Sequence, residues 1–549
     1  MKKLVIIAAA AALALTGAVA ASAWADPSGS ASAGKNTASS LEWHACKQSI
    51  VDAAKAYDSL GPVKVSEIIQ CAELQVPLDY DKPDGTKITL QLTNVPHQGS
   101  AEAKGDIVVN PGGPGGSGTS FAARVYAQNS PEMQAAYNVV GFDPRGVGDS
   151  VPALSCDPNY NNGPRPWYGH GEPEAVKVWL QRDKDYAAAC ARNDEVGLLA
   201  HAKTTDSAKD LNSIRAALGR EKLDYYGASY GTYLGGVYAT MFPKNVGRFA
   251  LDGVVGPSDV WYEANLNQDV QFDKNINYYF GWIAKFDSRY HLGTTQKQVH
   301  DFYYATIEKL KAEPVLFTEP DGSVLGAGPD ELTDNILTAG YRRSAAVWNL
   351  YATGLAAYKT GDMQTFAETY GGPTEGGADD NGFAIYNAVQ CTDVQWPTSW
   401  KKWQRDNTRI DKKYPFETWG NAWFNAGCLY WGADAGKPVN VGKVKGLPNI
   451  LLFQSTEDGA TPYKGALDMH RRLKGSHLVV QDGDRTHCIV HRGAPDVDKY
   501  FDGFFLNGTL PEKETVHVAE LGDPTPPAPA AQTTSRKASK DVVEREVIR

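Results

Sequence analysis

The stretch Gly227-Ala228-Ser229-Tyr230-Gly231 constrains this chain more than any other. A strand-like run, Lys222-Leu223-Asp224-Tyr225-Tyr226, precedes it, and a helix-like run from Thr232 to Phe242 follows. Strand, Gly-x-Ser-x-Gly and helix in that order describe a nucleophile elbow, a sharp turn that lifts a serine hydroxyl above the end of a sheet. The glycines are needed because the serine is strained and a helix packs behind it, so a side chain at either position would crowd the turn. Stripped of its flanks the pattern is a small-residue turn; with them it predicts a catalytic serine.

The rest of the sheet is legible as short apolar runs. These are Asp106 to Asn110, Val139 to Phe142, Phe249 to Asp252, Asn449 to Phe453 and His477 to Val480, separated by helical stretches, which predicts a mostly parallel sheet. Ala72 to Leu78 and Ile88 to Thr93 alternate like early strands. Between about 258 and 445 strand-like runs become scarce. Amphipathic helical stretches rich in Trp, Tyr and Phe replace them, as at 269–286 and 298–311. That segment enters after the strand that follows the elbow, which predicts a cap over the carboxyl ends of the strands, where ligands bind in such sheets. A separate helical domain with no catalytic role is the plainer alternative.

The N-terminus carries Lys2 and Lys3, an apolar run from Leu4 to Leu15, and Ala23-Trp24-Ala25, the pattern of a signal peptide over 1–25. The apolar run is too short for a membrane anchor. Residues 26–40 read as a flexible Ser-, Ala- and Gly-rich leader, and 523–549 as a disordered tail. The expected organisation is a first core part over 41–257, a helical cap over 258–445 and a second core part over 446–522. A secreted protein without a membrane segment is predicted. The net charge of -10 argues against a nucleic-acid partner.

Export makes disulfides the expected state of the cysteines. Sequence order suggests Cys46–Cys71, Cys156–Cys190 and Cys391–Cys428, leaving Cys488 beside His487. No CxxC pair is present, and no metal or other cofactor is expected.

A serine hydroxyl needs a base, and the base needs an orienting acid. In α/β-hydrolases the order is Ser, acid, His. Asp458 stands on the loop after the strand at 449–453 and is the candidate acid; Asp252 and Glu457 are rivals. His487 follows the strand at 477–480 and is the candidate base; His491 is the alternative, and His470 reads as structural. The glycine-rich loop Asn110-Pro111-Gly112-Gly113-Pro114-Gly115-Gly116-Ser117-Gly118 can aim backbone N–H groups at a developing oxyanion, with Gly113 and Tyr230 as donors. It lacks the Gly-Lys-Ser/Thr ending of a phosphate-binding loop.

That loop, Gly141-Phe142-Asp143-Pro144-Arg145-Gly146-Val147-Gly148 and the elbow Gly227 to Gly235 together resemble the secreted tripeptidyl aminopeptidases of actinomycetes. Trp261 to Asp269 and Cys391-Thr392-Asp393 resemble them too, and the likeness runs from about Glu42 to Pro511. The resemblance implies an α/β-hydrolase serine peptidase related to proline iminopeptidases, with Ser229 as nucleophile, Asp458 as acid and His487 as base. It implies release of short peptides, often tripeptides, from substrates with a free N-terminus, beneath a closing cap. Glu263 and Asp393 are the candidate partners for the substrate ammonium, each with a plainer reading as a surface charge or helix cap. The chain departs from the family where Cys488, rather than Gly, follows the histidine, and where no later cysteine pair appears. An esterase or lactonase using the same triad is the rival activity, and a non-catalytic peptide-binding protein the rival class.

Overall fold

The structure, a computed structural model, describes residues 41–377, 379–448 and 450–528; the expected signal peptide, the leader and residues 529–549 lie outside the described residues. In chain order the strands are β1 (His44–Ala45), β2 (Gln70–Pro77), β3 (Lys87–Val95), β4 (Gly105–Asn110), β5 (Tyr137–Phe142), β6 (Leu223–Ala228) and β7 (Val246–Asp252). Then follow β8 (Val315–Thr318), β9 (Val324–Ala327) and β10 (Gly372–Pro373), and last β11 (Ile450–Ser455), β12 (His477–Gln481) and β13 (Thr515–Val518). The main sheet has the order β1-β2-β3-β5-β4-β6-β7-β11-β12-β13. Strands β5 to β13 of that sheet pair in parallel, and β1 to β3 add an antiparallel edge.

Parallel strands are covered on both faces, so they read as unbroken apolar runs. In β4 this is literal: Val108 points into one apolar core, while Ile107 and Val109 point into another on the opposite face. In β11, Ile450 and Leu452 join the first core and Leu451 and Phe453 the second. The register then aligns the strand ends. Ala228 pairs with Asp252, Asp252 with Phe453, and Ser455 with Gln481. The loops after β6, β7, β11 and β12 therefore emerge side by side at one edge.

Between β7 and β11 lie helices Tyr262–Lys285, Gln296–Ala312, Pro329–Tyr341, Ala345–Thr360, Asn381–Asp393, Trp400–Asp411 and Thr418–Ala426, among shorter ones. They have their own apolar core around Trp282, Tyr303 and Trp348. This segment is not wholly helical, because β8, β9 and β10 form a small antiparallel sheet within it.

Two boundaries differ from the sequence reading. Helix Pro173–Asn193 and the loop before it, placed in the core by sequence, pack on the cap: Trp179 stacks on Trp423, the Trp423 indole donates to Tyr168 O at 2.8 Å, and Arg165 pairs with Glu331 at 2.7 Å. Aromatic helical stretches look alike in sequence whichever layer they join. The tail, expected to be disordered from 523, begins attached. Asp523 accepts from Tyr278 Oη at 2.6 Å, and Pro524 O accepts from the Trp282 indole at 2.7 Å, because two proline-rich carbonyl and carboxylate groups find donors on helix Tyr262–Lys285. The three disulfides are Cys46–Cys71, Cys156–Cys190 and Cys391–Cys428. No helix among the described residues is long and apolar enough to cross a membrane.

Candidate active site

Ser229 stands between β6 and helix Tyr230–Met241 with φ 56° and ψ -125°, a conformation that a side chain disfavours and that persists only where its surroundings enforce it. The enforcement is visible. Its N–H donates to Asp252 O at 2.9 Å, and its carbonyl accepts from Thr232 N and Oγ1 at 2.8 and 2.6 Å. A Cβ on Gly227 would sit 2.4 Å from Gly231 O, and one on Gly231 would sit 2.8 Å from Asn110 O. The two elbow glycines are thus fixed by backbone closing in from both sides.

Asp458 is fully buried after β11. Its Oδ1 accepts from Ala460 N and Thr461 N, both at 2.9 Å; its Oδ2 accepts from Thr461 Oγ1 at 2.8 Å and Gln454 Nε2 at 3.1 Å. The remaining partner is His487 Nδ1, 2.8 Å from Oδ2 and 3.1 Å from Oδ1. That contact fixes the tautomer, placing the proton on Nδ1 and leaving Nε2 as the basic nitrogen. Burial lowers the His487 imidazolium and the Asp458 charge raises it, with the balance above the ordinary histidine value. Cys488 adds no anion beside the ring at neutral pH, because burial pushes its thiol up.

His487 meets the elbow through the residue after Asp252: a Cβ on Gly253 would lie 2.9 Å from His487 Cε1. Ser229 and His487 form no direct hydrogen bond in this structure.

The rival acid has a different task. Asp252 is buried and receives Ile489 N at 2.8 Å, Val490 N at 3.0 Å and Tyr226 Oη at 3.1 Å. It anchors the chain just beyond His487 rather than the imidazole, and burial raises its pKa to about 6. Glu457 turns toward helix Tyr262–Lys285, accepting from Gln271 Nε2 at 2.9 Å. His491 is half-buried against Phe501, and the enclosure of its ring lowers it to about 4. His470 lies in the last turn of helix Tyr463–Arg472 and meets Ser476 Oγ at 2.8 Å.

The glycine-rich loop passes directly over the elbow. Gly112 has φ 95°, and a Cβ there would lie 2.8 Å from both Ser229 Cβ and Tyr230 N. Gly113 follows at φ 104°. Tyr230 N belongs to the first residue of a helix, where N–H groups have no partner within the helix. The motif around Asp143, whose role sequence left open, ties this loop down. Asp143 Oδ1 accepts from Ser117 Oγ at 2.7 Å and Thr119 N at 3.2 Å, and Oδ2 from Asp149 N at 2.9 Å. Arg145 beside it forms a buried two-point pair with Asp210, at 2.7 Å for each contact.

Neither sequence candidate for the ammonium partner stands free in the site. Asp393 is buried and saturated by Thr204 N and Oγ1, each at 2.6 Å, and the Trp261 indole at 3.2 Å. It caps helix Thr204–Ala217 from across the chain, because that helix supplies free N–H groups to a buried carboxylate. Glu263 is exposed in the first turn of helix Tyr262–Lys285.

Two further carboxylates of the cap are Asp269 and Glu417. Asp269 is 1% exposed, accepts from Asn421 Nδ2 at 2.8 Å, and is pushed by burial to about 8. Glu417 Oε2 is buried with no hydrogen-bond partner, and burial with the nearby Asp269 charge raises its pKa well above the ordinary value. Neither carboxylate is paired with a cation among the described residues. The signal for Asp269 was present in sequence: Asn265, Asp269, Phe272 and Ile276 recur at helical spacing and form one buried face, which Glu263 leaves.

Cys488 is free and buried at 1% exposure, with φ 59° and its thiol 3.3 Å from Asp252 O, so it is enclosed rather than presented to a second molecule.

The chain is 40% identical to the tripeptidyl aminopeptidase of Streptomyces coelicolor, over 80% of this chain and 81% of the relative. The chain belongs to the tripeptidyl aminopeptidase family. It is a serine peptidase of the α/β-hydrolase fold, and the family profile described as TAP-like protein matches residues 414–517. Serine protease Hip1 of Mycobacterium tuberculosis is 30% identical over 86% of this chain and 89% of its own. Carboxylesterase B of the same species is 30% identical over 85% and 88%.

Proposed function

We propose that this tripeptidyl aminopeptidase family member is a serine exopeptidase that releases tripeptides from substrates with a free N-terminus, using Ser229, His487 and Asp458. The buried His487–Asp458 pair, set beside the positive-φ serine of the elbow, carries the reading. His487 Nε2 takes the hydroxyl proton as Ser229 Oγ attacks the scissile carbonyl. The N–H groups of Gly113 and Tyr230 receive the oxyanion, each worth roughly 3–4 kcal/mol in the transition state. His487 then protonates the leaving amine, and water releases the peptide from the acyl-enzyme.

Restriction to free N-termini rests on Asp269 and Glu417. Burial raises both carboxyls and so favours their protonated forms, and a substrate ammonium is the group whose charge would pair with the carboxylates and offset that cost. The disulfides and the signal-like N-terminus support action outside the cytoplasm.

The test compares Ala-Pro-Ala-4-nitroanilide, free and N-acetylated, with Ala- and Pro-4-nitroanilide. Cleavage of the free tripeptide alone is expected. Equal cleavage of the acetylated form removes the exopeptidase reading. The likeness to a carboxylesterase favours a second reading, ester hydrolysis by the same triad. Its signature is rapid turnover of 4-nitrophenyl butyrate with no cleavage of any of these peptides.

A further inference from the structure

The loop carrying His487 is gripped by cap residues that the sequence does not connect with it. Tyr341 ends helix Pro329–Tyr341, and its carbonyl accepts the His487 N–H at 2.9 Å. The next residue, Arg342, is 4% exposed and donates Nη1 to His487 O at 2.6 Å and to Cys488 O at 3.5 Å. Arg343 pairs with Asp484, three residues before His487, and with Glu520 at 3.2 Å. The Tyr341 ring meets the imidazole edge to face, with centroids 5.8 Å apart and planes at 77°. Three consecutive cap residues therefore hold both peptide groups of His487, its ring and its approach loop.

A second cap helix holds the acid loop. Gln268 Nε2 donates to Ala460 O at 2.6 Å, and Asn275 Nδ2 to Glu457 O at 2.8 Å. Asn275 Nδ2 also reaches Gly340 O at 3.3 Å, which joins the acid loop to the residue just before Tyr341. The core's contribution is one-sided by comparison. Asp252 fixes residues 489 and 490, and Ser455 Oγ donates at 2.7 Å to Thr486 O, the far end of the peptide that carries the His487 N–H; among these bonds the His487 carbonyl is held by Arg342 and by no core group.

From this arrangement we infer that Arg342, with Tyr341, is a positioning residue: the 341–343 segment of the cap sets the direction in which His487 Nε2 faces Ser229. The inference rests on the reading of His487 as the base. A base works only within hydrogen-bond reach of the proton it takes, and about 1 Å of displacement can cost 10²-fold in rate. The cap is thus part of the frame of the catalytic pair as well as a wall of the substrate site. Moving residues 341–343 moves the base even toward a reactant too small to touch the rest of the cap.

The test uses the full chain with Arg342→Ala and Arg342→Lys. Two rates are read: kcat and KM on a free tripeptide 4-nitroanilide, and the labelling of Ser229 by a small alkyl phosphonate. Arg342→Ala is expected to lower kcat and the labelling rate together, roughly ten- to a hundredfold, with KM changed less than about twofold. Arg342→Lys, which keeps a charged donor, recovers most of both. The downfield Nδ1 proton resonance of His487 shifts in the alanine variant and returns toward its original position in the lysine variant. Wild-type kcat and labelling in folded Arg342→Ala overturn the proposal, whatever happens to thermal stability. A rise in KM alone overturns it as well. Should Arg342→Ala not fold, Tyr341→Leu keeps every backbone bond and removes only the ring; unchanged labelling there is the contrary result. His487→Ala is the control: full turnover in that variant means that the reading of the base has failed, rather than the role of Arg342.

Discussion

Asp458 and Asp252 are both buried at the ends of neighbouring strands, and their hydrogen-bond partners separate their roles. Asp458 faces Nδ1 of His487; Asp252 faces two backbone N–H groups beyond it. Asp458→Asn therefore turns an amide toward the ring and favours the wrong tautomer, with an expected fall in kcat of about 10⁴-fold in steady-state assays. Asp252→Asn replaces an acceptor by a donor opposite backbone N–H groups. The expected sign is a lower melting temperature with a smaller loss of kcat, and a larger loss than at Asp458 contradicts the assignment. The pH profile follows from the raised His487. The imidazolium is not a base, so kcat/KM is low in acid and rises with pH through a midpoint above 6.5. Asp458→Asn removes the charge that holds the midpoint up, so the residual activity should titrate at lower pH. Gly112→Ala tests the loop over the elbow. Its Cβ would meet Ser229 Cβ and Tyr230 N at 2.8 Å in a positive-φ backbone, so the loop must withdraw. Loss of one oxyanion donor predicts a fall in kcat of about 10²–10³-fold with the fold retained by circular dichroism.

At the scale of elements, strands β4, β5, β7, β11 and β12 could be read in sequence because a strand covered on both faces leaves an unbroken apolar run. The elbow and the glycine-rich loop could be read because only glycine fits where backbone meets backbone at under 3 Å. The joints of the cap could not. Asn275, Gln268 and Arg342 act through bonds to backbone carbonyls of distant loops, and such bonds leave no spacing pattern. The surroundings of the two expected ammonium partners were not legible for a related reason. Asp393 and Glu263 were charges in suggestive stretches, but burial decides which carboxylate lacks a partner, and burial follows the helix face that carries Asp269. The Cys391–Cys428 bridge ties helix Asn381–Asp393 to the turn after helix Thr418–Ala426, across 37 residues. Loop-closure entropy assigns such a bridge about 4 kcal/mol. Replacing both cysteines by alanine should lower the calorimetric melting temperature. An unchanged melting temperature contradicts that.

Over the whole molecule, a sheet that aligns four loop origins supplies the reacting groups, and an inserted cap supplies both the base's frame and two carboxylates without cations. On the proposed reading, that division lets one chain combine acyl-transfer chemistry with restriction to chain ends. Asp269 and Glu417 lie in the cap, so on that reading the substrate is measured from its ammonium rather than from the scissile bond. Ser229→Ala should abolish turnover and leave the fold intact. The most direct measurement is mass spectrometry of a twelve-residue peptide digested over time, with its N-terminus free or acetylated. The account predicts successive losses of three residues from the free peptide, none from the acetylated one, and no products with Ser229→Ala. Internal fragments, single-residue losses or cleavage of the acetylated peptide would contradict it.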